Sequence, residues 1–209
     1  MAHATAGAER LIEQLRPHIG DERVLAALAA VPRDAFVPVH LADAAWENTA
    51  LPIGSGQTIS QPLVVARMCE LLELRGDEHV LDVGTGSGYH AAVLAYLAAE
   101  VWSIEREPGL AARAATALRD AGVVNVHLVV GDGSRGYPPA APYDAINVAA
   151  AAVEPPVSLE GQLAGGGRLV VPVDRGDQHL MLVRRSGEKL ARERHEPVRF
   201  VPLVEGRRR

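Results

Sequence analysis

The front of the chain has a helical pattern. Leu11, Ile12 and Leu15 share one face of an amphipathic stretch over residues 8–16. Val24, Leu25 and Leu28 do the same over residues 22–30, with Asp21 as the expected N-cap and Pro32 as the stop. From there to about Gly56 no sheet pattern appears, and residues 51–62 read as a loop rich in glycine and small hydroxyl residues. Pro62 then opens a helix to about residue 74, with Val64, Met68, Leu71 and Leu72 at helical spacing. After it, short apolar runs alternate with helical stretches. Strands are expected over 79–84, 101–105, 126–130, 143–148 and 168–173. Helices are expected between them, to about residue 99, through Leu110 to residue 121, and around 156–163. The tail changes character, with strand-like runs at 179–185, 190–195 and 199–203 and a turn at Ser186-Gly187.

This order predicts an α/β fold: a mostly parallel, doubly wound sheet with an antiparallel C-terminal edge and an N-terminal helical cap. No repeat or low-complexity linker breaks the chain. One domain over residues 1–209 is expected, with a cap over 1–56, a core over 57–174 and C-terminal antiparallel strands over 175–209. With 209 residues the chain is long enough for one sizeable core.

Composition narrows the partners. The net charge of −5 argues against a nucleic-acid footprint, and Arg207-Arg208-Arg209 reads as a solvated tail. The single cysteine, Cys69, excludes an intrachain disulfide and suits a reducing compartment. No apolar run reaches 18 residues, and residues 1–8 carry no signal-peptide pattern, so a cytoplasmic protein away from the membrane is expected, acting as a monomer. The eight histidines show no metal-ligand spacing, no Gly-x-Ser-x-Gly elbow is present, and no metal is expected.

The chemistry gathers at His79-Val-Leu-Asp-Val-Gly-Thr-Gly-Ser-Gly-Tyr89, an apolar strand, a glycine turn and a helix start. Glycines let a ligand approach main chain closely, and a helix N-terminus offers free N–H groups beside them. The spacing Gly84-x-Gly86-x-Gly88 is one residue shorter than the dinucleotide fingerprint. Asp82 at the strand's end suits an ammonium or another cation and sits badly beside a pyrophosphate. Glu105, ending the next strand, can accept both hydroxyls of a ribose. Asp132, after the strand at 126–130, can accept from an adenine amine, although a turn aspartate is the plain alternative. Ribose, ammonium and sulfonium together describe S-adenosylmethionine, and the D-x-G-x-G-x-G form resembles the first motif of class I methyltransferases. Ser60 stands before the helix opened by Pro62, where it is equally an N-cap or a site residue. His90 reads as a surface helix residue and Asp144 as a structural one. Asn147 is polar in an otherwise apolar run, and the sequence gives it no role.

The chain as a whole resembles the protein-L-isoaspartate O-methyltransferases in their bacterial form. The resemblance rests on Ala29-Ala-Val-Pro-Arg-Asp-Ala-Phe36, Leu51-Pro-Ile-Gly54, Gly56-Gln-Thr-Ile-Ser-Gln-Pro62, Val80 to Tyr89, Gly131-Asp-Gly133 and Val198-Arg-Phe-Val-Pro-Leu203. It implies a Rossmann-like class I fold and methylation of the free α-carboxylate of L-isoaspartyl residues in proteins and peptides. The methyl ester then collapses to a succinimide, which starts repair to aspartate. It further implies Ser60 as the catalytic residue, and a cofactor site of Thr58, Ile59, Ser60, Asp82, Gly84, Thr85, Gly86, Ser87, Gly88, Glu105, Asp132 and Gly133. One departure is Ala149-Ala-Ala-Ala152 where the family commonly has Thr-Ala-Ala-Pro or Gly-Ala-Ala, which removes the hydroxyl that the first of these forms places near the acceptor. Two other readings stand beside this one. One is a homologue that methylates an aspartate in one dedicated peptide. The other is a nucleotide-binding module without transferase activity, which the glycine spacing and Asp82 disfavour.

Overall fold

The computed structural model describes residues 6–206. The tail Arg207–Arg209 and the first five residues therefore lie outside the described residues. Helices α1 (Ala6–Leu15) and α2 (Glu22–Ala30) form the front. Asp21 caps α2 as expected, its carboxylate accepting the Arg23 N–H at 2.8 Å. Two 3-10 segments, Arg33–Phe36 and Val39–Ala44, lead on.

The expected loop at 51–62 is in fact a hairpin. β1 (Leu51–Gly54) pairs antiparallel with β2 (Gln57–Ile59) around a turn at Ser55-Gly56. Leu51, Ile53 and Ile59 point inward and join the main core, which pins this glycine-rich stretch in place. α3 (Pro62–Leu72) follows.

The main sheet holds seven strands in the order β5-β4-β3-β6-β7-β8-β9. β3 (His79–Val83), β4 (Glu100–Glu105), β5 (Val126–Val130), β6 (Tyr143–Val148) and β7 (Leu163–Asp174) run parallel. β8 (Gln178–Ser186) and β9 (Lys189–Pro197) close the edge antiparallel. α4 (Tyr89–Leu97) connects β3 to β4, and α5 (Pro108–Asp120) connects β4 to β5. The chain steps outward from β3 to β5 and returns on the other side as β6. This puts the topological switch between β3 and β6, the place where open α/β sheets bind ligands at the strands' carboxyl ends.

The period of two divides the core. Val80, Val101, Ala145 and Val170 face α1 to α4, together with Leu11, Leu25, Val65 and Val93. Leu81, Ile104, Ile146 and Leu169 face the opposite layer with Leu159 and Leu163. Two boundaries differ from the pattern. The expected helix over 156–163 is a single turn, α6 (Val157–Glu160), and Leu163 already begins β7, which runs through Gly165–Gly167. Gly167 is required there, because a Cβ would stand 3.0–3.2 Å from three carbonyl oxygens. Residues 199–203 form no strand; a bridge from Pro202 to Ala151 and two side-chain bonds from Gln178 of β8 to the Phe200 backbone tie them to the sheet's end.

Candidate active site

A cavity of about 920 Å³ opens at the switch point, a size that accommodates a nucleoside-sized ligand with part of an acceptor, since ligand pockets span about 300–1,000 Å³. Its floor is the glycine turn. Gly84 and Thr85 donate their N–H groups to Ile104 O at 2.9 and 3.2 Å, so the turn hangs on the end of β4. Gly84, Gly86 and Gly88 all have positive φ. At Gly88 the requirement is double: φ is 92°, and a Cβ would press on Ala114 and Leu118 at 3.3 Å.

Glu105 is buried at the cavity wall, 5% exposed. Its Oε2 accepts the Gly86 N–H at 2.8 Å and its Oε1 accepts the Glu107 N–H at 2.9 Å. One bond per oxygen leaves lone pairs free for hydroxyl donors. Thr58, Ile59 and Ser60 line the opposite wall, brought there by β2 and the start of α3. Ser60 is not the N-cap of α3. That place belongs to Gln61, which makes no side-chain cap, and the orphan Leu63 N–H is taken at 3.0 Å by Asn48 Oδ1. Asn48 O also accepts from Gln61 Nε2 at 3.1 Å, so one residue of the front section anchors both sides of this corner.

The structure brings Thr58, Ile59, Ser60, Gly84, Thr85, Gly86, Ser87, Glu105 and Gly133 together around the cavity. Gly88 sits directly beneath, as the N-cap of α4. Two more expected ligand contacts, both acids, are also not on its wall. Asp82 is fully buried one layer below, where Oδ2 accepts from Ser103 Oγ at 2.6 Å and Oδ1 from Asn147 Nδ2 at 2.7 Å. Asp132 turns away and caps a 3-10 turn, accepting Ser134 N–H and Oγ–H at 3.0 and 2.7 Å on Oδ1 and Gly206 N–H at 2.7 Å on Oδ2. Burial opposes its ionisation, but the bonds from Ser134 and Gly206 and the Arg106 guanidinium outweigh that and hold its carboxyl below the usual range.

Other residues at the site were not among the expected site residues. The last residue of β9 and the segment after it, Pro197 to Val204, form a wall of the cavity rather than a sheet edge. Ala151 fastens it, donating to Val201 O at 2.8 Å and accepting from Leu203 N–H at 2.7 Å, and Arg106 donates to Val204 O at 2.9 Å. His90 is buried, not a surface residue, and lines the cavity. The signal was present in the sequence: α4 is apolar on every side, so a polar residue in its first turn has no wet face to occupy. Tyr89, also on the wall, is packed edge-on by Phe36 at 5.8 Å and covered by the Arg33 guanidinium at 4.9 Å. Arg33 is itself fully buried and donates to Ala45 O and Thr49 O at 2.8 and 3.1 Å. The front section thus backs the site through its Val-Pro-Arg-Asp-Ala-Phe segment. Asp144 is structural as expected, accepting the His79 N–H at 2.9 Å.

Residues 6–208 match the family described as Protein-L-isoaspartate(D-aspartate) O-methyltransferase. The chain belongs to this family. It is 53% identical over 199 residues to the protein-L-isoaspartate O-methyltransferase of Aeromonas hydrophila subsp. hydrophila, covering 95% of this chain and 97% of that one. It is 54% identical over 200 residues to the enzyme of the same name from Methanoculleus marisnigri, covering 94% and 90%. Among solved structures, a protein-L-isoaspartate O-methyltransferase at 28% identity superimposes with a TM-score of 0.86 over 95% of this chain and 66% of that longer chain. A chain from Plasmodium falciparum, solved in complex with S-adenosyl-L-homocysteine, shares the fold at 23% identity with a TM-score of 0.84, covering 95% of this chain and 98% of that one. The isoaspartate methyltransferase family therefore accounts for the whole described chain, including the hairpin at 51–59 and the wall at 197–204.

Proposed function

We infer that this isoaspartate methyltransferase transfers a methyl group from S-adenosylmethionine to the free α-carboxylate of L-isoaspartyl residues in proteins and peptides. The ester collapses to a succinimide, and hydrolysis returns part of it to aspartate, which repairs the damaged site. The observation that carries the reading is one cavity whose walls join the glycine turn, Glu105, the Thr58-Ile59-Ser60 corner and the segment at 197–204. The residues present suit the cofactor. The turn has no side chain at Gly84 or Gly86 to exclude a ligand, Glu105 keeps free lone pairs at the wall, and the volume is sufficient. We assign Gly84 to Gly88 to the methionine end, Glu105 to the ribose, Gly133 to the adenine and Thr58 to Ser60 to the border with the acceptor.

Bound S-adenosylmethionine supplies a methyl carbon activated by a positively charged sulfur. The protein needs no strong base, because an α-carboxyl ionises at about 3.5. Its task is to place the carboxylate oxygen in line, at about 3–3.5 Å, and to keep water out. The Ser60 hydroxyl, half-buried on the wall, orients the carboxylate by donating a hydrogen bond. Being neutral, it does so without overstabilising the ground state as a cation would. The net charge of −5 and the buried, reduced Cys69 support a protein acceptor over nucleic acid and a cytoplasmic setting. The chain is taken to work as a single methyltransferase domain. Prolonged incubation of an isoaspartyl peptide with S-adenosylmethionine and the enzyme tests the repair function. The normal aspartyl peptide is expected to accumulate, and its absence while methyl ester forms would separate methylation from repair.

A further inference from the structure

The register of three strands builds a polar row inside the core. Asp82 of β3 lies opposite Ser103 of β4 on one side and Asn147 of β6 on the other, all facing α3 and α4. The row continues both ways to the cavity. Ser103 Oγ meets Thr85 Oγ1 at 2.6 Å, and Asn147 Nδ2 lies 3.3 Å from His90 Nδ1, whose ring reaches Cys69 Sγ through Nε2 at 3.5 Å. Thr85 and His90 are both cavity residues. The groups facing Asp82 are Ser103 from β4, Asn147 from β6, Thr85 of the glycine turn, and His90 and Cys69 from α4 and α3. Glu105 adds a second carboxylate further along β4. Among the described residues no lysine or arginine pairs with Asp82.

An ionised Asp82 therefore sits in the core with two neutral donors and no counter-ion. With that charge, the Asn147 amide gives both protons away, to Asp82 and to His90, and its own Oδ1 is buried without a partner. The same atomic positions accept a second proton arrangement. With the amide turned over, its oxygen accepts from a protonated Asp82 and from a proton on His90 Nδ1, and Cys69 donates to Nε2. Each arrangement leaves one end of the amide unpaired, so the amide itself does not choose between them. The choice falls to the charge in the cavity.

We propose that the Asp82–Asn147 pair makes the cavity sensitive to ligand charge, ionising when a positively charged sulfur is bound and so favouring S-adenosylmethionine over its uncharged-sulfur product. The inference rests on the proposed cofactor reading and adds to it a positioning role for two residues that touch neither substrate. Burial pushes the Asp82 carboxyl up, against the hydrogen bonds from Ser103 and Asn147. Burial also brings His90 down to about 3, so His90 is neutral between pH 5 and 7. After transfer the sulfonium charge is gone, Asp82 takes back from solvent the proton it released when S-adenosylmethionine bound, and the hold on the product loosens.

Calorimetric titration of the full chain with S-adenosylmethionine and with S-adenosylhomocysteine, between pH 5 and 7, tests this. The two ligands share their other ionising groups, so the ratio of their Kd values isolates the sulfur charge. In the wild type, lowering the pH from 7 to 5 is expected to weaken S-adenosylmethionine about fivefold more than S-adenosylhomocysteine, since one linked proton changes affinity by at most about tenfold per pH unit. In Asp82→Asn the ratio is expected to be flat. Should that variant fail to fold, the wild type in two buffers of different ionisation heat gives the proton count, which is expected to show more protons released with S-adenosylmethionine. Equal proton counts, or a ratio independent of pH in the wild type, would overturn the inference and leave the cofactor reading standing. A wild type that binds neither ligand would overturn both.

Discussion

Glu105 and Gly86 are joined between neighbouring strand ends: the carboxylate at the end of β4 accepts the N–H at the centre of the glycine turn at 2.8 Å. The bond ties the two halves of the ligand floor together, because its other oxygen holds Glu107 at the start of α5. Glu105→Ala leaves two N–H groups without their charged acceptor and removes the expected ribose contact. It is expected to lower stability by about 1–3 kcal/mol. Binding of S-adenosylhomocysteine, read by titration calorimetry, is expected to fall by about tenfold or more. Unchanged affinity would remove Glu105 from the cofactor site.

Ser60 separates binding from turnover. Its side chain lines the cavity and caps nothing in α3, so its loss leaves the fold intact. Ser60→Ala is expected to lower kcat by on the order of tenfold to a hundredfold, the cost of a misaligned acceptor. Affinity for S-adenosylhomocysteine is expected to change little. Steady-state kinetics on an isoaspartyl peptide beside a binding isotherm give both numbers, and near-normal kcat would remove the assigned role.

Asn48 holds that corner from a distance. Its Oδ1 serves as the cap that Gln61 does not provide, and its carbonyl receives the Gln61 side chain. Asn48→Ala is expected to cost about 1 kcal/mol in denaturant unfolding, the usual worth of a cap. Because the corner carries Ser60, kcat is expected to drop more than affinity for the cofactor.

His90 sets an acid limit. Burial lowers its pKa to about 3 in the folded chain, against about 6.5 when unfolded. The unfolded chain therefore gains the proton first. Stability is unaffected above about pH 6.5 and is lost progressively as pH falls from there toward 3, amounting to about 2 kcal/mol at pH 5. The raised Asp82 carboxyl acts with the opposite sign, taking up its proton earlier in the folded state. His90→Gln isolates the histidine: its stability curve is expected to be flatter than the wild type's between pH 6.5 and 5. Parallel curves would show that His90 is not the group responsible.

What the sequence made legible follows from where each signal resides. Asp21 and Pro32 are local signals, and α2 starts and stops where they indicate. β5 and β6 match their apolar runs at both ends. The hairpin at 51–59 was missed because its strands have four and three residues, too short for alternation to outweigh Pro52 and three nearby small residues. Ser60 carried a local N-cap signal that a long-range partner, Asn48, had already made unnecessary. Residues 199–203 have strand-like composition, but Phe200 packs on the core from the cavity side and Gln178 takes both its N–H and its carbonyl, so no ladder forms. The acids at 82 and 132 read as ligand contacts in the sequence, yet their carboxylates are taken by Ser103, Asn147, Ser134 and Gly206, none of which lies near in sequence except Ser134. Asn147, unexplained from sequence alone, is the cross-strand neighbour of Asp82.

The most direct test of the central claim is transfer of labelled methyl from S-adenosylmethionine to two peptides that differ only in isoaspartate against aspartate at one position. Label on the isoaspartyl peptide alone, as a base-labile ester, is the predicted result. Equal labelling of both peptides, or of neither while S-adenosylmethionine still binds, would contradict it.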